Sequence, residues 1–163
     1  NIAVGDCLSE VHRLDERLAE YDRHIGKMAG EDERSSRLMR LQGVGCTTAS
    51  ALVSTIGDAR DFKNGRQLAA WLGLVPGQYS SGGKTRLGGI TKAGDGYLRT
   101  LLVLGAKSVL AAARSKHDRL SRWALALEVR RGYWKAVIAI AAKNARMAWA
   151  VLAKGEDFKL IEA

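Results

Sequence analysis

The sequence predicts a mainly α protein, with a long N-terminal coiled-coil helix followed by a compact helical domain. Three observations predict it. Apolar residues recur at alternating steps of three and four from Val4 to Met28, the spacing of a coiled-coil seam. Helix caps and glycine stops recur along the remainder, and no long apolar–polar alternation marks a strand. With 163 residues, 47% of them hydrophobic, the chain can bury one core and is too apolar for disorder.

The seam runs through Val4, Cys7, Val11, Leu14, Leu18, Tyr21, Ile25 and Met28, with Glu, Asp, Arg and His between. It predicts one long helix, with its fraying end marked by Gly26 and Gly30, in a coiled-coil arm over residues 1–40 that pairs with a partner helix, a second copy of itself first of all. An ordinary surface helix is the alternative, since Cys7 and Tyr21 stand on the seam. The domain then runs over 41–163. Its first feature, Leu41–Asp58, predicts a helix ending at Gly43, a tight turn at Gly45, and a second helix capped by Thr47 or Thr48 and stopped by Gly57. This is the pattern of a helix-hairpin-helix over about 38–58, in which Gly43 and Gly45 would let backbone N–H groups approach a phosphate. A plain helix corner has the same pattern, and no Lys or Arg lies between Arg40 and Arg60.

Asn64 or Asp61 caps a third predicted helix that ends at Gly73. A loop or short hairpin rich in glycine fills about 76–94. Asp95 or Thr91 starts a helix to about Ala113, 114–118 is a polar break, Arg119–Arg131 is helical, and Gly132 separates it from a last helix over Tyr133–Ala153. Trp71, Trp123 and Trp149 read as core residues in apolar helical runs. Trp134, beside Lys135, is the better candidate for base stacking. Lys143, Asn144 and Arg146 read as a solvated helix face or a phosphate contact.

The net charge of +9 is concentrated: residues 84–154 carry fifteen basic and three acidic side chains. Such a stretch attracts polyanions, which makes nucleic acid the leading ligand class. Two distant cysteines and three histidines have no metal-ligand spacing, so no metal site is predicted. Charges at Lys143 and Arg146 close the most apolar run, Ala136–Ala142, which argues against a membrane partner. Starting at Asn1 with no secretory leader, the chain reads as a soluble, cytoplasmic piece of something longer.

The chemistry is concentrated in Gly73–Leu102. There Ser80 and Ser81 lie in a glycine-rich loop followed by Lys84, Arg86, Lys92 and Arg99. A serine that attacks a phosphodiester needs an approachable backbone, a route for its proton and cations for the charge built up at phosphorus. The loop offers the first and third. Ordinary turn chemistry also uses Ser-Gly pairs, and Arg99 could pair with Asp95 on its own helix. Gly-Lys-Thr at 83–85 is not a nucleotide P-loop, because position 78 is Gln where that motif needs Gly.

Four blocks in succession, GVGxxTAxxLxxxIGD from Gly43, FKNGRQLAAWLGLVP from Phe62, SSGGKTRLGGITKAGDGYLR from Ser80 and KNARMAWAVL from Lys143, resemble the C-terminal transposase domain of the DEDD insertion-sequence transposases, the bridge-RNA-guided serine recombinases. The resemblance covers about 41–154, and the arm before it is similar to that family's coiled coil. It implies DNA and a guide RNA as partners, and self-association through the arm. It also implies that Ser81, or Ser80 if the loop aligns one residue earlier, forms a transient phosphoserine link to DNA. By the same resemblance the four acidic Mg²⁺ ligands belong to an N-terminal RuvC-like domain outside this chain, so no cofactor is expected here and the piece would not cut DNA alone. A non-catalytic helix-hairpin-helix module for nucleic-acid binding and dimerisation is the competing reading.

Overall fold

The computed structural model describes residues 2–80, 83–84, 86–155 and 157–158. Helix α1 (Ile2–Glu31) is a single rod of 30 residues, about 45 Å long at 1.5 Å per residue. Its seam residues Val4, Val11, Leu14, Leu18, Tyr21 and Met28 are exposed, and only near its end does it dock, through the buried Ala29, against α3. The expected fraying at Gly26 and Gly30 does not occur, because this docking holds the last turns helical.

Asp32 then starts α2 (Glu33–Leu38), its carboxylate accepting from the Ser35 N–H at 2.9 Å. The helix stops at Leu38 rather than at Gly43, and a turn closed by the Val44 N–H on the Leu41 carbonyl at 3.1 Å leads into α3 (Cys46–Ile56). Gly43 is left-handed, at φ 79°, and a Cβ there would lie 2.5 Å from the Gly105 carbonyl oxygen. The cap of α3 is Gly45, with no side-chain hydrogen bond, rather than Thr47 or Thr48. Both threonines fall inside the first turn, where Thr48 is buried. Gly57 ends α3 as expected.

Asn64 caps α4 (Gly65–Trp71), accepting from the N–H groups of Arg66 and Gln67 at 3.0 Å each. An antiparallel hairpin follows, β1 (Pro76–Gln78) and β2 (Leu87–Ile90), pairing Pro76 with Ile90 and Gln78 with Leu87 across an irregular step. Asp95 caps α5 (Gly96–Ala112), Asp118 caps α6 (Arg119–Arg131), and α7 (Tyr133–Lys154) begins directly after Gly132.

Helices α5 and α7 form the centre. Leu98, Leu102, Ala106 and Leu110 of α5 and Val137, Ile140, Ala141, Ala145 and Ala148 of α7 are buried in one core with α3 and α4. Alanines on this stripe let backbones approach closely. Both helices are long and apolar enough to cross a membrane by length and composition, although scattered charges had argued that no run was. Their most apolar faces are instead buried against each other and their neighbours. Asn144, read from sequence as part of an open face, is fully buried. It sits on the same stripe, and its Nδ2 donates to the Gln42 carbonyl at 2.9 Å, while its Oδ1 has no partner. Trp149 anchors α7 laterally, its Nε1 donating to the carbonyls of Ala59 at 2.9 Å and Phe62 at 3.1 Å.

Candidate functional site

The glycine-rich segment is an arm raised on a tight neck. At the neck, Gly94 is left-handed, with φ 74°, and a Cβ on it would lie 1.9 Å from the Trp71 carbonyl oxygen. This closeness leaves no room for any other residue. Arg99, one turn into α5, donates from Nη1 to the carbonyls of Leu72 and Ala93, both at 3.1 Å. That ties the end of α4, the hairpin's exit and the start of α5 together. Arg99 is not paired with Asp95, whose carboxylate instead accepts from the N–H groups of Tyr97 at 2.7 Å and Leu98 at 3.0 Å.

Beyond the neck, Thr91 N–H donates to Val75 O at 2.9 Å, and Tyr79 N–H donates to Arg86 O at 2.9 Å. The legs of the hairpin therefore stay paired nearly to Ser80, which is exposed. Its Oγ accepts from Gln78 Nε2 at 2.8 Å. The hydroxyls of Ser54, Ser108, Ser115 and Ser121 instead donate to local carbonyl or carboxylate oxygens. Ser81 lies outside the described residues. Lys84, Arg86 and Lys92 are all exposed, and Lys92 holds a left-handed backbone at φ 55°, a conformation uncommon for a residue with a side chain. The hairpin thus carries Ser80, Lys84 and Arg86 toward its far end, while Lys92, whose N–H donates to Gly73 O at 3.2 Å, and Arg99 stand at the neck.

Gly43 and Gly45 are elsewhere. They border an open groove of about 450 Å³ between the start of α3 and the middle of α5, lined also by Thr48, Leu101, Leu104 and Ser108. Gly43 is engaged in packing on Gly105, whereas a Cβ at Gly45 would meet nothing within 4 Å. Gly45 offers no side-chain cap to the first N–H groups of α3. The neck and the groove share α5, since Arg99 and Leu101 are two residues apart.

Sequence reasoning missed the neck role of Arg99, the Gln78–Ser80 bond and the burial of Asn144. On α6 and α7, burial lowers the pKa of Lys143, and the nearby charges of Arg146 and Arg119 lower it further. Lys143 Nζ rests 4.7 Å from the Trp123 ring centroid. Cys7 and Cys46 are free thiols, and among the described residues no three His, Cys, Asp or Glu side chains converge on a point that could hold a metal ion.

Comparison with known proteins places these features in a family. A family model described as "Transposase IS116/IS110/IS902 family" matches residues 35–122, from α2 through the groove, neck and hairpin into α6. A "Probable family 20 transposase" of Pseudomonas aeruginosa is 47% identical over 151 residues, 93% of this chain and 45% of that protein. The "Transposase for insertion sequence element IS1111A" of Coxiella burnetii is 40% identical over 157 residues, 96% of this chain and 43% of that protein. The corresponding protein of element IS1328 from Yersinia enterocolitica is 37% identical over 145 residues, 89% of this chain and 43% of that protein. The chain spans less than half the length of these relatives. With its hairpin, neck and groove all inside the matched region, the chain belongs to the IS116/IS110/IS902 family of transposases.

Proposed function

We propose that this chain is the part of a DNA transposase that presents a serine hydroxyl, Ser81 or its neighbour Ser80, to a DNA phosphodiester. The observation that carries the reading is the hairpin itself. An exposed Ser80 whose Oγ accepts rather than donates in its one local bond is carried with the exposed Lys84 and Arg86 on an arm fixed at its base, where Lys92 is also exposed. In the reaction, the serine Oγ attacks phosphorus as its proton passes to a base. The bond from phosphorus to one deoxyribose oxygen breaks, and that oxygen leaves as a strand-end hydroxyl after taking up a proton. The product is a phosphoserine ester to DNA. Attack by a hydroxyl of another strand reverses the step and completes the exchange with no net loss of phosphodiester bonds. Lys84 and Arg86 would hold the negative charge that develops at phosphorus.

Among the described residues, the side chain bonded to Ser80 Oγ is Gln78, which is not a base, and the family resemblance implies that the Mg²⁺ ligands would stand on a RuvC-like domain. Mg²⁺ there would supply charge stabilisation and an activated oxygen. This chain's contribution is to bind DNA and guide RNA and to orient the nucleophile. The exposed seam of α1 would bring two copies together, so that two serines meet two strands.

The test uses the full-length protein with donor DNA, guide RNA and Mg²⁺. Ser81→Ala, or Ser80→Ala, is expected to abolish a covalent protein–DNA adduct and strand transfer, with affinity and its salt dependence nearly unchanged. The adducted peptide identifies the serine. An adduct that persists in both variants refutes the reading. A loss of binding as large as the loss of cleavage favours instead a non-catalytic helix-hairpin-helix module centred on the uncapped start of α3 and its groove.

A further inference from the structure

Tyr133 and Trp134 open α7 as an edge-to-face pair, with ring centroids 5.2 Å apart and planes at 79°. Trp134 is 63% exposed. The other three tryptophans are engaged by the fold: Trp149 through its two hydrogen bonds, Trp123 beneath Lys143 and Trp71 against Phe62 at 5.5 Å. Lys107 of α5 places its Nζ 6.0 Å from the Trp134 centroid. Arg130, Arg131 and Lys135 flank the pair in sequence, and all are exposed. The nearest acid in sequence, Glu128, is partly buried and faces Arg114 at 4.0 Å.

A large aromatic face left in water among cations that have no ion-pair partner among the described residues matches a ligand that brings both a π-face and negative charge. A nucleic-acid strand has both, but only where a base is unpaired, since the faces of bases within a duplex are already stacked. We propose that Tyr133 and Trp134, with Lys107, Arg130, Arg131 and Lys135, form a stacking platform for an unpaired base of a nucleic-acid strand. The proposal does not depend on the serine chemistry, because the platform stands on α7 and the serines stand on the hairpin. A protein partner would need an acidic face to match the same cations, and it is a distinguishable outcome below.

The experiment uses the full-length protein and single-stranded oligonucleotides carrying 5-iododeoxyuridine in DNA or 5-iodouridine in RNA. Crosslinking is expected to map to Tyr133 or Trp134, to fall sharply when the same base is paired in a duplex, and to show by its arm whether the strand is DNA or RNA. A stacked base is worth about 1–3 kcal/mol, so Trp134→Ala should weaken single-strand binding about 5- to 150-fold. The salt slope should not change. Trp134→Tyr should retain most of the affinity, and this variant and the crosslink remain decisive if Trp134→Ala misfolds. Lys107→Gln should flatten the salt dependence. Crosslinks that map elsewhere, with Trp134→Ala binding as well as wild type, overturn the proposal. So does a Trp134→Ala variant that sediments as a different assembly but keeps its oligonucleotide affinity, which would identify the pair as a protein contact.

Discussion

Replacing Arg99 with Gln separates two roles that its position in sequence could not distinguish. If Arg99 is a neck residue, its loss removes two hydrogen bonds to the Leu72 and Ala93 carbonyls. Hydrogen bonds from a charged donor contribute roughly 1.5–3 kcal/mol each when buried. Here one nitrogen serves both acceptors and the side chain is only half-buried, so about 1–2 kcal/mol in total is a fair discount. That corresponds to about a 5- to 30-fold rise in local opening of the neck. The reporters are the amides of Thr91 and Lys92, which donate to Val75 O at 2.9 Å and Gly73 O at 3.2 Å. Their hydrogen-exchange protection in the full-length protein should fall by that factor, while amides in the middle of α7 keep theirs. The salt slope of DNA binding should hold, because the guanidinium is engaged with protein. Unchanged protection at both amides, together with a slope lower by about 0.9, the signature of one lost phosphate contact, would refute the neck role.

Three further outcomes are expected. Gly105→Ala places a Cβ 1.9 Å from Gly43 O and 3.0 Å from Gly43 C; both atoms are backbone and cannot rotate away, so the urea midpoint should fall by an amount equivalent to about 3 kcal/mol, and a loss under about 1 kcal/mol would contradict the close packing of α5 on that turn. Burial raises the pKa of the Asp118 carboxyl, but hydrogen bonds from the Ser121 hydroxyl and N–H and from the Leu120 N–H outweigh it and hold the pKa below its ordinary value of 3.8. Its contribution is therefore present above that value and lost as pH falls through the lower, folded one. Asp118→Ala should cost about 1–2 kcal/mol near neutral pH, in a gap to wild type that closes with acidification below about pH 4; a gap constant down to pH 2 is the contrary result. Leu14→Glu combined with Leu18→Glu puts two charges on the exposed seam of α1 and should reduce the sedimenting mass of the full-length protein without altering helical content, whereas an unchanged mass would remove the arm from assembly.

The helices were legible because their signals are local. Asn64, offered with Asp61, and Asp95, offered with Thr91, each have an amide or carboxylate within reach of the next N–H groups and are the caps in space; Asp118, read only as part of a polar break, caps α6 in the same way. The start of α3 was not legible, since Thr47 and Thr48 satisfy the same local rule as Gly45. What selects Gly45 is the fit of the preceding turn onto Gly105, some sixty residues away. Asn144 and Arg99 show the same limit. Polarity suggested solvent or phosphate for both, yet their partners, Gln42 O and Leu72 O, are distant carbonyls that only the fold supplies. The stripe Val137, Ile140, Ala141, Asn144, Ala148 did place Asn144 inward, and periodicity was the better guide than polarity. The hairpin's serines and cations were identified by type, but their mutual geometry depends on the neck.

The charge of the domain follows from the same logic. Of the eighteen Lys, Arg, Asp and Glu side chains between 84 and 154, only three are acidic, and the fold engages all three. Asp95 and Asp118 cap α5 and α6, while Glu128 faces Arg114. A carboxylate that caps a helix is partly compensated by that helix's N-terminal N–H groups. It does less to offset cations across the surface than the same carboxylate would in an unfolded chain. Folding therefore leaves Lys84, Arg86, Lys92, Lys107, Arg130, Arg131 and Lys135, all but Lys107 exposed, with few counter-charges of their own. A surface of that kind is poorly matched to a neutral or basic ligand. A polyphosphate strand supplies the missing negative charge at closely repeated intervals and gains the release of its own counterions, so the hairpin and the aromatic pair on α7 can be complemented by the same kind of molecule.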